Sequence, residues 1–328
     1  MTLASPVIPP IPPIPPIPVV VLSGSDRQPA TLPVSGERLQ PLSGYKGVDL
    51  IIDGTPLIAR VVARLWSSER FAAVYVAGPA RVHADLALNA ELIDVDGRID
   101  ENIRAAVETL RAVYPGSPIA FTTCDVLARE ETYREVVDHF RSASPCDIYF
   151  PLVRRPHDTD ALGASSWKPS YAPVQELHSQ PVMVLPGHLL FADPEALRLD
   201  FVYRLLNLTY RTRNRPIQYR RNVMIRGLIF ELLYQDLRHV LALRPPTITF
   251  SVILTGLMVA VGLRKRTISL TELERRARKV FVTSYHRRRY PCRKVLLPIV
   301  DDLELALDID TVEEARSAGA EMRPSERN

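Results

Sequence analysis

The stretch IAFTTCDVL, residues 119–127, decides the fold class, because an apolar run there breaks into small polar residues and then presents one carboxylate, Asp125. A buried strand that ends in an acidic residue places an oxygen ligand at the carboxyl edge of a parallel sheet, where open α/β folds bind ligands. The pattern therefore predicts a site for a metal-bound phosphate. The alternative is that Asp125 serves as a helix cap or a turn residue.

A second apolar run opens into a polar loop near the amino end: VVVLSGSDR, residues 19–27. A glycine-containing loop lets backbone N–H groups approach a phosphate closely, and an arginine beside it supplies charge-assisted hydrogen bonds. Ser23, Gly24, Ser25 and Arg27 are therefore candidate phosphate-binding residues. The loop fits neither the GxxxxGK[ST] pattern nor the GxGxxG fingerprint.

Lys46 follows this loop, and LIIDGTPLIARVVARL, residues 50–65, comes next. It predicts a short strand over 50–52, a turn at residues 53–54 and a helix with Pro56 in its first turn, where a missing N–H costs nothing. Strand and helix patterns alternate from residue 19 to residue 148. The fold expected is a Rossmann-like three-layer α/β sandwich with a mostly parallel sheet.

In this order, the segments resemble the nucleotidyltransferases of the GT-A-like fold, which include molybdenum-cofactor guanylyltransferases and sugar-phosphate and alcohol-phosphate nucleotidyltransferases. In that family a first strand leads to a glycine-rich loop that ends in arginine, then to a lysine and a Gly-x-Pro turn. Residues 19–27, Lys46 and residues 54–56 follow the same order. The resemblance implies a nucleotide-diphospho-sugar transferase fold whose loop wraps the nucleotide phosphates, with Arg27 and Lys46 neutralising them. Ser25 departs from the family, which usually has a second glycine there.

Three further matches extend the resemblance along the chain. Asn102 opens a helix over residues 98–115 and corresponds to an asparagine near the nucleotide base. Asp125 matches the aspartate that holds the catalytic Mg²⁺ in relatives. LALDIDTVEEA, residues 305–315, resembles the closing motif, in which Asp308 or Asp310 completes the metal site. We favour Asp308 as the ligand and Asp310 as the N-cap of the last helix.

The acceptor side is expected in the second half. His188 stands where relatives carry the asparagine of a Gly-Asn pair, and the alternative is a packed surface histidine. Arg213 and Arg215 lie in an arginine-rich segment, residues 210–227, that resembles an Arg-x-Asn-Pro motif. The resemblance implies that these two arginines line an acceptor-phosphate pocket. The alternative for the segment is a solvated basic face.

Two classes of function follow. The first is a Mg²⁺-dependent nucleotidyltransferase that joins the nucleoside monophosphate of a nucleoside triphosphate to a phosphorylated small alcohol or sugar and releases pyrophosphate. The second is a nucleotide-sugar-binding glycosyltransferase or a non-catalytic member of the same fold. Lys46 and Arg27 favour the first, because a triphosphate requires more neutralisation than a nucleotide sugar.

Three regions are expected along the 328 residues: a disordered proline-rich tail over 1–18, the nucleotidyltransferase domain over 19–328, and a helical insertion at about 200–290. VIPPIPPIPPIP, residues 7–18, predicts polyproline II. Residues 245–263 are uncharged and are followed by three basic residues, which favours a buried or membrane-surface helix over a span. Peripheral membrane contact through 245–266 is one expectation, at the inner face of the membrane.

Composition limits the other classes. Three cysteines without a CxxC motif favour a reducing cytosol, and Cys124 is expected to be a small buried residue rather than a nucleophile. A net charge of +4 and the lack of an aromatic-basic RNA motif argue against a nucleic-acid partner. The expected partners are a nucleoside triphosphate and a phosphorylated small molecule.

Overall fold

The structure, a computed structural model, describes residues 16–25, 44–158, 160–168, 170–176, 179–212, 217–241, 243, 246 and 248–322. The strands are β1 Pro18–Leu22, β2 Ile51–Ile52, β3 Thr55–Pro56, β4 Ala73–Gly78, β5 Glu91–Asp94, β6 Ile119–Thr123, β7 Cys146–Tyr149, β8 Leu152–Arg154, β9 Val184–Pro186, β10 Leu190–Ala192, β11 Lys294–Leu296 and β12 Ile299–Val300. The helices are α1 Lys46–Asp49, α2 Leu57–Ser67, α3 Ala80–His83, α4 Ile99–Val113, α5 Glu130–Ala143, α6 Leu199–Thr212, α7 Ile217–Leu241, α8 Ile248–Lys265, α9 Leu270–Phe281, α10 Ser284–Arg289 and α11 Val312–Met322.

A seven-stranded sheet organises the molecule, with the strand order β11-β7-β10-β6-β1-β4-β5. Strands β1, β4, β5 and β6 run parallel to one another, and β11 runs parallel to β7. Only β10, between β6 and β7, is antiparallel to its neighbours within this sheet. Helices cover both faces, so the predicted α/β class with a mostly parallel sheet is confirmed.

The continuous apolar run of β1 follows from burial on both faces. Val19 and Val21 pack on one face in a cluster that includes α2 and α5, while Val20 packs on the other face against α4. All three side chains are fully buried. Strands covered on both sides have no solvent-facing positions, so their sequences lose the polar alternation of a half-exposed strand.

The segment after Lys46 folds into a tight hairpin and a helix. Strands β2 and β3 pair antiparallel around Asp53 and Gly54, which both have positive φ, at 47° and 75°. Gly54 relieves the strain of the left-handed backbone at its own position. Pro56 is the N-cap residue of α2. The predicted strand, turn and helix are therefore all present, with the strand beginning one residue later than expected.

Residues 17 and 18 belong to the folded core, although the sequence analysis placed them in a tail over residues 1–18. Ile17 is buried and its carbonyl accepts a hydrogen bond of 2.9 Å from the Ala72 N–H, and Pro18 opens β1. The boundary at residue 18 is therefore wrong, because the sheet begins before the valine run. The proline repeat up to residue 15 lies outside the described residues.

Helices α6 to α10 occupy Leu199–Arg289 between β10 and β11. Asp147, on β7 and fully buried, holds this segment to the sheet. Its carboxylate contacts Arg278 Nε on α9 at 2.7 Å, Arg293 Nε at 2.8 Å and His286 Nε2 on α10 at 3.2 Å. A buried carboxylate is tolerated only with such partners, so these contacts fix how the helices dock.

Among the described residues, no helix is long and apolar enough to cross a membrane. Helix α8 contains most of the uncharged stretch over residues 245–263. Val252 and Thr255 are buried on one side, whereas Leu254 and Leu257 on the other side are 40% and 58% exposed. The sequence left a buried helix and a membrane-surface helix as alternatives, and the structure gives α8 one buried side and one exposed apolar side.

Candidate active site

A cavity lies at the carboxyl ends of β1 and β6. The chain passes from β1 to β4 and β5 on one side and then crosses to β6 on the other, so this edge is a topological switch point, where open α/β sheets bind ligands. The lining residues are Leu22, Gly24, Ser25, Lys46, Gly97, Ile99, Asn102, Thr123, Cys124, Asp125, His188, Tyr210, Asp308 and Asp310. Eight of the twelve predicted site residues are in this set, so the structure brings together segments that are up to 286 residues apart, from Gly24 to Asp310.

Asp125 lies just beyond β6, at the centre of this edge. Its Oδ1 is buried and has no hydrogen-bond partner among the described residues. Its carbonyl oxygen accepts a hydrogen bond of 2.8 Å from the Ile309 N–H. Because a buried carboxylate oxygen is costly without a partner, the orphaned Oδ1 indicates a place for a bound cation.

The Ile309 contact brings the closing acidic motif to the cavity. The Ile309 side chain packs against the hydrophobic core, while Asp308 and Asp310, on either side of it, both line the cavity. Asp310 Oδ1 accepts a hydrogen bond of 2.5 Å from Lys46 Nζ, a residue 264 positions earlier in the chain. The pair joins the first and last predicted motifs in one site.

The predicted capping role of Asp310 is wrong. Thr311 Oγ1 accepts a hydrogen bond of 3.1 Å from the Glu314 N–H, and Glu314 Oε2 accepts hydrogen bonds from the N–H groups of Asp310 and Thr311. This reciprocal arrangement is a capping box in which Thr311 is the N-cap of α11. The side chain of Asp310 is thereby left for Lys46.

Lys168 is a site residue that the sequence analysis missed. Its buried ammonium contacts Asp308 Oδ1 at 2.8 Å, His188 Nε2 at 2.9 Å and the Ala306 carbonyl oxygen at 2.6 Å. An ammonium has only N–H donors, so His188 Nε2 accepts from Lys168 and its ring is neutral, while the same nitrogen also lies 3.1 Å from Asp308 Oδ1. Burial lowers the pKa of His188; the charge of Asp308 opposes this shift, and the charge of Lys168 acts in the same direction as burial.

The loop after β1 packs against α4. A Cβ atom at Gly24 would lie 2.5 Å from Asn102 Nδ2, so a larger residue there would displace the Asn102 side chain. Asn102 is buried, and its Oδ1 accepts a hydrogen bond of 3.2 Å from the Gly97 N–H. Ser25 also lines the cavity. The predicted base-side asparagine therefore lies beside the predicted phosphate loop.

Ser23 has a structural contact instead. Its Oγ lies 2.8 Å from His83 Nε2, and His83 Nδ1 lies 2.9 Å from the Pro79 carbonyl oxygen. Because Nδ1 must donate to that carbonyl, Nε2 of the neutral His83 ring accepts a hydrogen bond from the Ser23 hydroxyl. Burial lowers the pKa of His83, which favours the neutral ring.

Cys124 contributes only its packing to the cavity wall. The side chain is buried, and a Cβ atom at Gly47 would lie 2.9 Å from its Cβ. Burial raises the pKa of the Cys124 thiol to about 12. Since the thiolate is the nucleophile, this environment suits a small core residue, as the sequence analysis expected.

The cavity fits a Mg²⁺ ion anchored by one carboxylate. Among the described residues no group of three or more His, Cys, Asp or Glu side chains could hold a metal. Asp125 Oδ1 and Asp308 Oδ1 are both buried without a hydrogen-bond partner among the described residues. Asp308 Oδ1 lies 2.8 Å from Lys168 Nζ and Asp310 Oδ1 is paired with Lys46, so Asp125 Oδ1 is the carboxylate oxygen here that has no ion pair among the described residues. Mg²⁺ commonly takes one or two protein carboxylates and completes its shell with water and substrate phosphates. The residues therefore fit a metal that arrives with a nucleotide.

The remaining site residues divide into two groups. Arg27, Arg213 and Arg215 lie outside the described residues. Tyr210, on α6, lines the cavity and was not predicted, although it lies within the arginine-rich segment. A helix of the insertion thus contributes directly to the cavity.

Comparison with solved structures gives the fold. A structure described as a hypothetical transferase from Thermus thermophilus matches 92% of this chain and 100% of its own, with 20% identity and a TM-score of 0.52. 4-Diphosphocytidyl-2C-methyl-D-erythritol synthase from Anaerococcus prevotii matches 94% of this chain and 98% of its own, with 9% identity and a TM-score of 0.41. CMP:2-keto-3-deoxy-manno-octonic acid synthetase with CTP matches 62% and 83%, with 13% identity and a TM-score of 0.40. The first shows a shared fold, and the other two are too distant to support an argument.

The chain matches no protein-family model, and no curated protein matches it.

Proposed function

We propose that the chain is a Mg²⁺-dependent nucleotidyltransferase that transfers a nucleoside monophosphate from a nucleoside triphosphate to a phosphorylated small alcohol or sugar. The observation that carries this proposal is the convergence of the Gly24-Ser25 loop, Lys46, Asn102 and the orphaned carboxylate of Asp125 in one cavity. Backbone N–H groups, a cation and a metal-binding oxygen are the groups that a triphosphate requires.

The reaction needs little covalent chemistry from the protein. An anionic oxygen of the acceptor phosphate attacks the α-phosphorus and forms a new P–O bond, while the bond to the α–β bridging oxygen breaks and pyrophosphate leaves. The attacking oxygen is already deprotonated, so no general base is required. The barrier lies mainly in bringing two polyanions together, which fixed cations and N–H dipoles lower.

Each residue has a role in this scheme. Lys46 offsets the charge of the triphosphate and is held in place by Asp310. The backbone of Gly24 and Ser25 approaches the phosphates, and Asn102 contacts the base beside the loop. Arg27 is proposed as a second cation on the sequence pattern alone. When bound, Mg²⁺ would neutralise and polarise the phosphate oxygens, and Asp125 would hold it through Oδ1.

The acceptor side is proposed at the opposite wall, formed by His188, Asp308 and Tyr210. Neutral His188, fixed by Lys168, can hydrogen-bond to a phosphate or hydroxyl without adding charge. The roles of Arg213 and Arg215 as acceptor-phosphate ligands stay predictions. A cytoplasmic location and membrane contact through 245–266 also stay predictions.

A thermal-shift screen of the full chain tests the proposal. Each of the four nucleoside triphosphates is added with Mg²⁺ or with EDTA, and a ligand at 100 times its Kd raises stability by about 2.7 kcal/mol. We expect at least one triphosphate to raise Tm more with Mg²⁺ than with EDTA. UDP-glucose and GDP-mannose form the comparison arm, since a shift with these and with no triphosphate would support the glycosyltransferase alternative instead.

The triphosphate that gives the largest shift is then incubated with a panel of sugar and alcohol phosphates. Pyrophosphate release that requires one acceptor confirms the reaction and identifies that acceptor. Binding of a triphosphate without pyrophosphate release from any acceptor would contradict the catalytic part of the proposal.

A further inference from the structure

Charge is distributed unevenly along this chain. Residues 199–289, which contain α6 to α10, carry 19 Lys and Arg against 5 Asp and Glu, a net charge of +14. The rest of the chain carries 22 against 32, a net charge of −10. The overall value of +4 therefore hides a strongly basic helical segment on an acidic body. Such a segment favours an anionic partner.

The hairpin of α7 and α8 also concentrates exposed apolar side chains. Of the 20 large apolar side chains that are exposed among the described residues, 13 lie between Tyr219 and Val261. Scattered exposed apolar residues are normal on a protein surface, but a cluster indicates an interaction site. A partner of this segment must therefore offer apolar contacts as well as negative charge.

The exposed residues form a stripe on each helix. Phe230, Leu233 and Leu237 lie on α7 at spacings of three and four, and Phe250, Leu254 and Leu257 repeat the pattern on α8. All six are at least 40% exposed, and the two phenylalanines are each 73% exposed. We call these six side chains the apolar face. Their spacing places each set on one side of its helix.

The opposite sides of the two helices are used for packing. Leu232 on α7 and Val252 on α8 are buried against Phe201 of α6. Asp236 Oδ2 accepts a hydrogen bond of 2.9 Å from the Thr249 N–H, which fixes the start of α8. The hairpin is thus held to the protein from one side, and the apolar face is the side that this packing leaves uncovered.

Basic side chains flank the apolar face. Arg226 and Arg238 are exposed on α7, and Arg264, Lys265 and Arg266 are exposed at the end of α8. Long basic side chains beside apolar residues can reach phosphate headgroups while the apolar residues enter the acyl boundary. A partner that has phosphate groups beside an apolar layer would thus match both the basic residues and the apolar face.

We infer that the apolar face of the α7–α8 hairpin docks on an anionic membrane surface, with its flanking basic residues on lipid phosphates. A second copy of the chain fits less well, because joining two such faces brings two segments of +14 together. A nucleic acid fits less well, because cation–phosphate contacts dominate that binding and leave no role for the phenylalanines. This inference goes beyond the proposed reaction and does not depend on it.

Flotation of the full chain with vesicles tests the inference. We expect the wild type to float with phosphatidylcholine vesicles containing phosphatidylglycerol and to stay behind with phosphatidylcholine alone. The double variant F230E/F250E should bind at least about tenfold more weakly, since it places carboxylates in the apolar face. The triple variant R264Q/K265Q/R266Q should also bind these vesicles at least about tenfold more weakly, because each basic residue near the membrane surface contributes to the attraction.

The matched control is L92E/V113E, which makes the same charge change at two exposed apolar residues of the sheet body. It should float like the wild type. Failure of the wild type to float on anionic vesicles would overturn the inference. So would charge-only adsorption, in which F230E/F250E floats normally while the triple glutamine variant does not.

Light scattering after size exclusion and competition with a short RNA separate the other partners. A dimer that F230E/F250E dissociates would assign the face to a second copy and overturn the membrane inference. If the RNA displaces the wild type from vesicles and F230E/F250E binds the RNA equally well, the segment binds a nucleic acid and the membrane inference is overturned. A monomer that the RNA does not displace supports the inference.

Discussion

The cavity at the sheet edge and the α7–α8 hairpin use their side chains in opposite ways. At the cavity, carboxylates and ammonium groups from distant segments are turned inward and paired, as in Lys46 with Asp310 and Lys168 with Asp308. On the hairpin, apolar and basic side chains are turned outward. The difference fits the two proposals, in which the sheet edge carries the chemistry and the helices place the chain on a membrane surface.

The largest expected effect is at Asp147, the residue of the sheet that holds the segment of α6 to α10. Asp147→Ala removes the buried carboxylate that pairs with Arg278 and Arg293, of which Arg293 keeps its pair with Asp193. Removing one partner of a buried ion pair typically costs about 3–5 kcal/mol. Urea unfolding should show this loss. The control Asp138→Ala removes an exposed pair with Arg70 and should change stability little. Equal midpoints for the two variants would mean that the helices do not depend on Asp147 for docking.

A smaller effect is expected at the cavity wall. Lys46→Ala should weaken triphosphate binding by about 1.5–3 kcal/mol, the usual contribution of a hydrogen bond to a charged group. Titration calorimetry with the triphosphate found by thermal shift measures this directly. Lys294→Ala removes an exposed lysine on an edge strand and serves as the control. If both variants bind like the wild type, the ammonium of Lys46 has only its structural role with Asp310.

The smallest effect is expected from the proline-rich amino end. Deleting residues 1–15 should leave both Tm and triphosphate affinity within error, since the sheet contacts begin at Ile17. Deleting residues 1–18 should instead lower Tm, because it removes buried Ile17 and the first residue of β1. Equal Tm values for the two deletions would show that Ile17 contributes nothing to the core.

Local patterns predicted the centre of the fold well. The apolar runs before Ser23 and Asp125 could be recognised because a strand buried on both faces has an uninterrupted apolar sequence. Gly24 followed from the glycine-containing loop after the first apolar run, and Lys46 and Asn102 followed from the resemblance to the nucleotidyltransferases. These features depend on residues that are close in sequence, so one chain was enough to find them.

Long-range contacts could not be predicted in the same way. Lys168 lies in no motif, and its partner Asp308 is 140 residues further on, so only the folded chain shows their pairing. The capping of α11 was assigned to Asp310 instead of Thr311, since neighbouring Asp and Thr residues give the same capping signal in a sequence. Local propensity alone did not resolve that choice.

The helical segment shows a different limit. Composition revealed the uncharged stretch over 245–263, but it did not show that Val252 is buried while Leu257 on the same helix is exposed. The apolar stripe on α7 was missed altogether, because Glu231, Gln235 and Asp236 interrupt it in the sequence. Which side of a helix is covered is decided by its tertiary neighbours.

The most direct test of the proposed site is the Mg²⁺ dependence of triphosphate binding, measured by titration calorimetry for the wild type, Asp125→Asn and the exposed control Asp138→Asn. If Asp125 holds the metal, the wild type and the control bind the triphosphate more tightly with Mg²⁺ than with EDTA, and Asp125→Asn loses most of this difference while keeping the wild-type Tm. Asp125→Asn with the same gain in affinity from Mg²⁺ as the wild type would contradict the assignment of this cavity as a metal–nucleotide site.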